Sequence, residues 1–128
     1  MRFLIPYLAT LAAFIVIDLV WLRLIAKAFY QRELGELMAN PFNLPVAVLF
    51  YLIFPIGLVM FAVRPALGSI SHAGQLGAMF GFFAYATYDL TNLATLKNWS
   101  TKLAIVDMAW GTVLGGVCAA AGVWASAP

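Results

Sequence analysis

Three aspartates, Asp18, Asp89 and Asp107, lie within long apolar runs of this chain, whereas the two glutamates, Glu33 and Glu36, lie in a polar connection. A carboxylate can carry a proton, hold a cation or pair with a charged ligand. Inside a membrane it costs roughly 2.5–3.5 kcal/mol on insertion scales and marks a functional-site hypothesis by default. Each of the three is followed three residues later by an indole or an amide: Asp18-Leu-Val-Trp21, Asp89-Leu-Thr-Asn92 and Asp107-Met-Ala-Trp110. Residues at i and i+3 share a helix face, and an indole or amide N–H donates to a carboxylate. The spacing therefore predicts local Asp–Trp and Asp–Asn pairs. Tyr85 and Tyr88 lie one turn or less before Asp89. The candidate binding residues are Asp18, Trp21, Tyr85, Tyr88, Asp89, Asn92, Asp107 and Trp110, and Asp89 with Asp107 is the candidate acid–base pair should the chain catalyse a reaction.

The elements that must position these groups follow from composition. Of 128 residues, 65% are hydrophobic and 9% charged, where a soluble domain carries about a quarter charged residues. So few charges cannot clothe a domain of this size. A soluble globular domain, a disordered chain and a nucleic-acid binder are excluded, and the formal net charge of +2 records membrane topology rather than affinity for nucleic acid. Four apolar runs reach the roughly 20 residues a bilayer crossing needs: about 3–25, 44–63, 71–94 and 103–125. They do not alternate as barrel strands would. The expected fold is all-α, a single polytopic domain over 1–128 built as an antiparallel bundle of four transmembrane helices. The first run looks like an uncleaved span, since it continues past Asp18 to Trp21 and no convincing A-x-A cleavage site follows it.

The link after the first span, about 26–38, puts Phe29, Tyr30, Leu34, Leu37 and Met38 toward one side and Lys27, Gln31, Arg32 and Glu36 toward another. That pattern predicts a short interfacial helix, ended by Asn40-Pro41-Phe42-Asn43. Pro55 should kink the second span. Ser100 or Thr101 should cap the fourth. Tyr7, Tyr30, Trp99 and Trp124 fall near the expected interfaces, as an aromatic belt would. Lys/Arg counts set the orientation: Arg23, Lys27, Arg32, Lys97 and Lys102 on one side against Arg2 and Arg64 on the other. The positive-inside rule then places both chain ends outside the cytoplasm, with a bacterial inner membrane as the expected location.

Helix direction gathers the aspartates. Asp18 and Asp89 sit toward the C-terminal ends of the first and third spans, and Asp107 sits one turn into the fourth. In an antiparallel bundle those ends share the basic side. At 1.5 Å per residue Asp89 lies about 12 Å below Lys97 and Asp107 about 7.5 Å below Lys102. Ala73, Gly77, Gly81, Tyr85 and Asp89 recur every four residues, as do Asp107, Gly111, Gly115 and Ala119. Small residues at this spacing let membrane helices approach closely, so the third and fourth spans should meet along these stripes. Two carboxylates at the end of one seam cannot both stay ionised cheaply unless a cation lies between them.

The run Tyr85-Ala-Thr-Tyr88-Asp89-Leu-Thr91-Asn92-Leu-Ala-Thr95-Leu-Lys97-Asn-Trp99, together with Asp18-x-x-Trp21 and Asp107-x-x-Trp110-Gly111, resembles the bacterial membrane family known as domain of unknown function 2177. The resemblance covers nearly the whole chain. It implies a small multi-pass membrane protein and leaves the activity open.

Three functional readings stay open. The polar residues can serve to bind helices together in an accessory subunit, with Arg23, Lys27, Lys97 or Lys102 pairing the carboxylates. The cluster can bind or translocate a small cation, a proton or an amphiphile. Or the chain is a small enzyme acting on a membrane lipid or isoprenoid. His72 lies at the far end of the third span and Cys118 within the fourth, so no His–Asp pair and no Cys/His metal set is available. No D-D-x-x-D run and no Gly-rich phosphate loop occurs, and neither a metal nor a cofactor is expected. The surrounding partner is membrane lipid. A homo-oligomer and a partner membrane protein both remain open.

Overall fold

The computed structural model describes residues 3–38 and 43–126. Arg2 and the Asn40–Phe42 part of the expected helix break lie outside the described residues. The described chain is helical, without strands, and forms four long helices. Helix α1 spans Leu4–Leu37. Helix α2 spans Leu44–Ala66, α3 spans Ile70–Thr95 and α4 spans Thr101–Ala125. Their starts are fixed by side chains that take up orphan backbone donors. Asn43 Oδ1 accepts from the Val46 N–H at 3.4 Å, Ser69 Oγ from His72 at 3.1 Å and Ser100 Oγ from Leu103 at 3.0 Å.

One expectation is corrected at the end of α1. Residues 26–38 do not start a separate interfacial helix. They continue α1 through a π-helical stretch, Trp21–Ala26, into Lys27–Leu34 and a closing 3₁₀ turn, Gly35–Leu37. Nothing in Trp-Leu-Arg-Leu-Ile-Ala stops a helix; glycine first appears at Gly35, where φ is +52°. At 34 residues α1 is about 51 Å long, well beyond the roughly 30 Å hydrocarbon core, so its last turns reach past a bilayer crossing. In α2 the helix runs through Pro55, and the departure from α geometry comes just beyond it, as a π-helical stretch at Val59–Val63.

Three of the helices, α1, α2 and α4, are long and apolar enough to cross a membrane. The α3 helix matches them in length at 26 residues, but Ser71, His72, Gln75, Thr87, Asp89, Thr91 and Asn92 dilute its apolar character. The outer surface of the molecule is apolar. Leu24, Ile25, Val46, Phe61, Ile105 and Trp124 are all exposed, while Thr10, Asp18, Asp89 and Asp107 are buried. Water would penalise that surface, and lipid does not.

The core is a chain of aromatic and aliphatic contacts. Phe14 of α1 stacks on Phe54 of α2 at 5.0 Å, and Phe54 reaches Phe80 of α3 at 5.4 Å. Leu58, Leu114 and Cys118 complete the same cluster. The tightest contact is between α3 and α4, where backbone meets backbone. A methyl group added at Gly81 would lie 2.0 Å from the Gly111 carbonyl oxygen, and one at Gly115 would lie 2.2 Å from that of Gly77. These pairs, with numbers rising on one helix as they fall on the other, run the two helices in opposite directions. Gly74 lies at the open edge of the seam, with its nearest neighbour 3.9 Å from an added methyl.

Gly81→Ala and Gly115→Ala are therefore expected to destabilise the protein by about 1–3 kcal/mol each, as overpacking does. Gly74→Ala should be neutral or slightly stabilising, because it relieves the entropic cost of a helical glycine. Thermal unfolding of the three variants in detergent checks the ordering.

Candidate functional site

Between the end of α1 and the other three helices lies a cavity of about 400 Å³. Asp18, Leu22, Tyr30, Leu34 and Met38 line it from α1 and its C-terminal flank, and Phe50 from α2. Ala84, Tyr85 and Tyr88 of α3 form the facing wall, with Trp99 from the α3–α4 link and Leu103, Asp107 and Trp110 from α4. The lining is mostly hydrocarbon and aromatic ring. It carries two carboxylates and no lysine, arginine or histidine.

Each carboxylate is held by donors from other helices. Asp18 Oδ1 accepts from the Trp110 indole N–H at 3.1 Å, and its Oδ2 accepts from the Tyr51 hydroxyl of α2. Asp107 Oδ1 accepts from the Tyr30 hydroxyl at 2.7 Å, and that same hydroxyl accepts from the Trp21 indole at 3.2 Å. The rings of Trp21 and Trp110 stack at 4.3 Å with an 8° interplanar angle. The expected i, i+3 pairs are thus replaced by crossed ones. With α1 and α4 side by side, Trp110 serves the aspartate of α1, and Trp21 serves Asp107 only through Tyr30. Stacked on each other between the helices, the two indoles donate to Asp18 and to the Tyr30 hydroxyl rather than to the aspartate three residues before each.

Asp89 stands apart. It is fully buried, and neither of its oxygens has a hydrogen-bond partner among the described residues. Its neighbours are the carboxyl of Asp107 and the indole of Trp99, but the Trp99 N–H is likewise unpartnered. Asp89 does not line the cavity, and neither does Asn92; the expected Asp89–Asn92 bond is not formed. Among the described residues these acids form no ion pair either. Arg23, Lys27, Lys97 and Lys102 are exposed, and tyrosine and indole groups take the places expected for them. Among the described residues no group of three or more His, Cys, Asp or Glu side chains is gathered closely enough to hold a metal ion.

Of the residues singled out from the sequence, Asp18, Tyr85, Tyr88, Asp107 and Trp110 line the cavity, while Trp21 backs Trp110. Sequence reasoning missed Tyr51, and it assigned Tyr30 and Trp99 to the membrane interface. Tyr51 carried a readable signal, since a hydroxyl midway along an otherwise apolar span needs a buried acceptor. Tyr30 carried none that distinguishes it from an interfacial tyrosine. A latch completes the frame: Ser100 Oγ donates to Glu33 at 2.5 Å, tying the flank of α1 to the start of α4.

The model of the family described as predicted membrane protein (DUF2177) matches residues 3–124. The chain belongs to this family. The match takes in every residue that lines the cavity. No curated protein matches the chain, and no solved structure does.

Removing one donor from a buried carboxylate should cost roughly 0.6–1.7 kcal/mol, from the average to the upper end for hydrogen bonds between membrane helices. Tyr30→Phe and Tyr51→Phe are expected to fall in that range. Tyr7→Phe is the control: its hydroxyl donates to the Leu52 carbonyl at 3.1 Å in an exposed position and should matter by less than about 0.5 kcal/mol. Equal losses for all three in chemical or thermal unfolding would mean that the carboxylate contacts contribute nothing special.

Proposed function

We propose that this protein is a small integral membrane binding protein whose cavity takes an amphiphile. The observation that carries the reading is the cavity itself. At about 400 Å³ it falls within the roughly 300–1,000 Å³ of small-molecule sites, which are mostly apolar with a few placed polar groups. A bare proton or metal ion has no use for a lining of rings and aliphatic chains. Catalysis by an Asp89–Asp107 pair is disfavoured because Asp89 is walled off from the cavity. A purely structural role for the polar residues does not account for the cavity or for an unpartnered Asp89. Interhelical hydrogen bonds in membranes average only about 0.6 kcal/mol.

In this reading all four helices cross the bilayer in antiparallel sequence order, α3 included. Its threonines suit an apolar setting because their hydroxyls fold back on the preceding turn: Thr87 donates to Phe83 O at 2.7 Å and Thr95 to Thr91 O at 2.8 Å. The protein sits in a bacterial inner membrane. Arg23, Lys27, Arg32, Lys97 and Lys102 gather at one end, with the Glu33–Ser100 latch among them. Arg64 lies at the other, its guanidinium 6.0 Å from the Phe3 ring. The basic end faces the cytoplasm.

Two measurements test the reading. Native mass spectrometry of protein released from a mild detergent is expected to find a retained small molecule or lipid. Ala84→Phe, which fills the cavity, should lose it while the thermal midpoint holds. Protein that is bare in every preparation would point instead to an assembly role. For orientation, Leu67→Cys and Asn98→Cys in a Cys118→Ser background are compared with a membrane-impermeant maleimide on intact cells. Leu67→Cys is expected to label and Asn98→Cys to label only after lysis; the reverse pattern inverts the topology.

A further inference from the structure

We infer that the head group recognised in this cavity is an organic ammonium, a primary to quaternary amine carried on an apolar tail. The inference rests on the reading of the cavity as a binding site and names the chemistry of its occupant. Three observations carry it.

The first is an open acceptor. Asp107 is 8% exposed and lines the cavity. Its Oδ1 is taken by Tyr30, and Oδ2 has no hydrogen-bond partner among the described residues. Asp18, on the same lining, is saturated by Tyr51 and Trp110. A carboxylate that lines the cavity is therefore left with one oxygen to offer.

The second is charge. The lining carries two carboxylates and no cation, and the fully buried Asp89 lies behind Asp107. The neighbouring carboxyls of Asp89 and Asp107 hold at most one charge cheaply, and a remaining negative charge in such a place is costly unless it is paired. An anionic head would add to the repulsion, and a neutral one would leave it standing. A cation answers it. A metal ion does not suit, since the carboxylates do not converge into a ligand set among the described residues.

The third is the nature of the walls. Tyr88 and Trp99 meet at 5.5 Å with an interplanar angle of 88°, forming a right-angled aromatic corner beside Asp107. Tyr85 and Trp110 add two further rings to the lining. Ring faces attract organic cations by their quadrupole, with about 2 kcal/mol or more available when the site is desolvated, and a cage of rings is the usual receptor for substituted ammonium groups. The remaining walls, Leu34 and Leu103 among them, suit a hydrocarbon tail.

The test compares three probes that share a decyl chain and differ in head group: decyltrimethylammonium, decanol and decyl sulfate. Each is titrated into the full chain in lipid nanodiscs and followed by tryptophan fluorescence, since Trp99 and Trp110 line the site. Empty nanodiscs serve as the partition blank. The ammonium probe is expected to bind at least about tenfold more tightly than decanol, and decyl sulfate more weakly than both. Asp107→Asn should abolish the preference of the cavity for the ammonium probe over decanol. If the variant fails to fold, the ranking of the three probes on the unmodified protein still decides the matter. Equal binding of the ammonium and neutral probes overturns the ammonium assignment and leaves the amphiphile site standing. No saturable binding of any probe overturns both. The natural source is read by native mass spectrometry: an aminophospholipid mass points to a membrane lipid, a smaller amine mass to a free cationic amphiphile. Retention of only anionic or neutral species contradicts the inference.

Discussion

Gly77, Gly81, Gly111 and Gly115 bring two helix backbones into direct contact, and the rest of the site is set out from that contact. Without side chains to hold them apart, α3 and α4 meet carbonyl to Cα. Dispersion and packing, rather than a hydrophobic driving force, must hold helices together in lipid, and close approach is how glycine supplies it. The seam ends where the small residues end. Beyond Gly111 the Tyr85 ring lies against its Cα, and beyond Tyr85 the larger side chains force the helices to share space with the end of α1. The cavity opens there, at the end of the tightest seam in the molecule.

The same geometry divides the three carboxylates by fate. Asp18 and Asp107 lie where α1 meets α4, within reach of donors carried by α1, α2 and α4. Asp89 lies inside the α3–α4 contact and finds none. The donors are neutral hydroxyls and indoles throughout. A lysine or arginine brought this deep would carry its own desolvation penalty, and all four candidates stay exposed instead. The cavity lining therefore holds two carboxyl groups and no basic side chain, and the Tyr30–Asp107 and Ser100–Glu33 contacts hold the flank of α1 over it.

The stretch Trp21–Ala26, at which α1 turns π-helical, is what allows one helix to serve both purposes. Its first part carries Asp18 and Phe14 into the bundle. Its last turns bring Tyr30 and Leu34 onto the cavity. Such π-helical stretches often mark functional sites, because the extra residue per turn re-aims the side chains that follow.

Local pattern was enough to give an all-helical membrane chain and the glycine seam. Run length, four-residue spacing and the alternation of helix direction are properties of the chain itself, and bilayer thickness leaves them little latitude. Pattern failed where the answer depended on which helices are neighbours. The D-x-x-W spacing predicts a pair within each helix, but the partners are exchanged between α1 and α4. Tyr30 and Trp99 read as interfacial until tertiary contact turned them inward. The sequence by itself determined which groups are forced into apolar surroundings, since hydropathy and length decide that residue by residue. Only the tertiary structure decided which of them are satisfied, which are stranded and which face a cavity, because a hydrogen bond between helices depends on distances that no spacing along one helix contains.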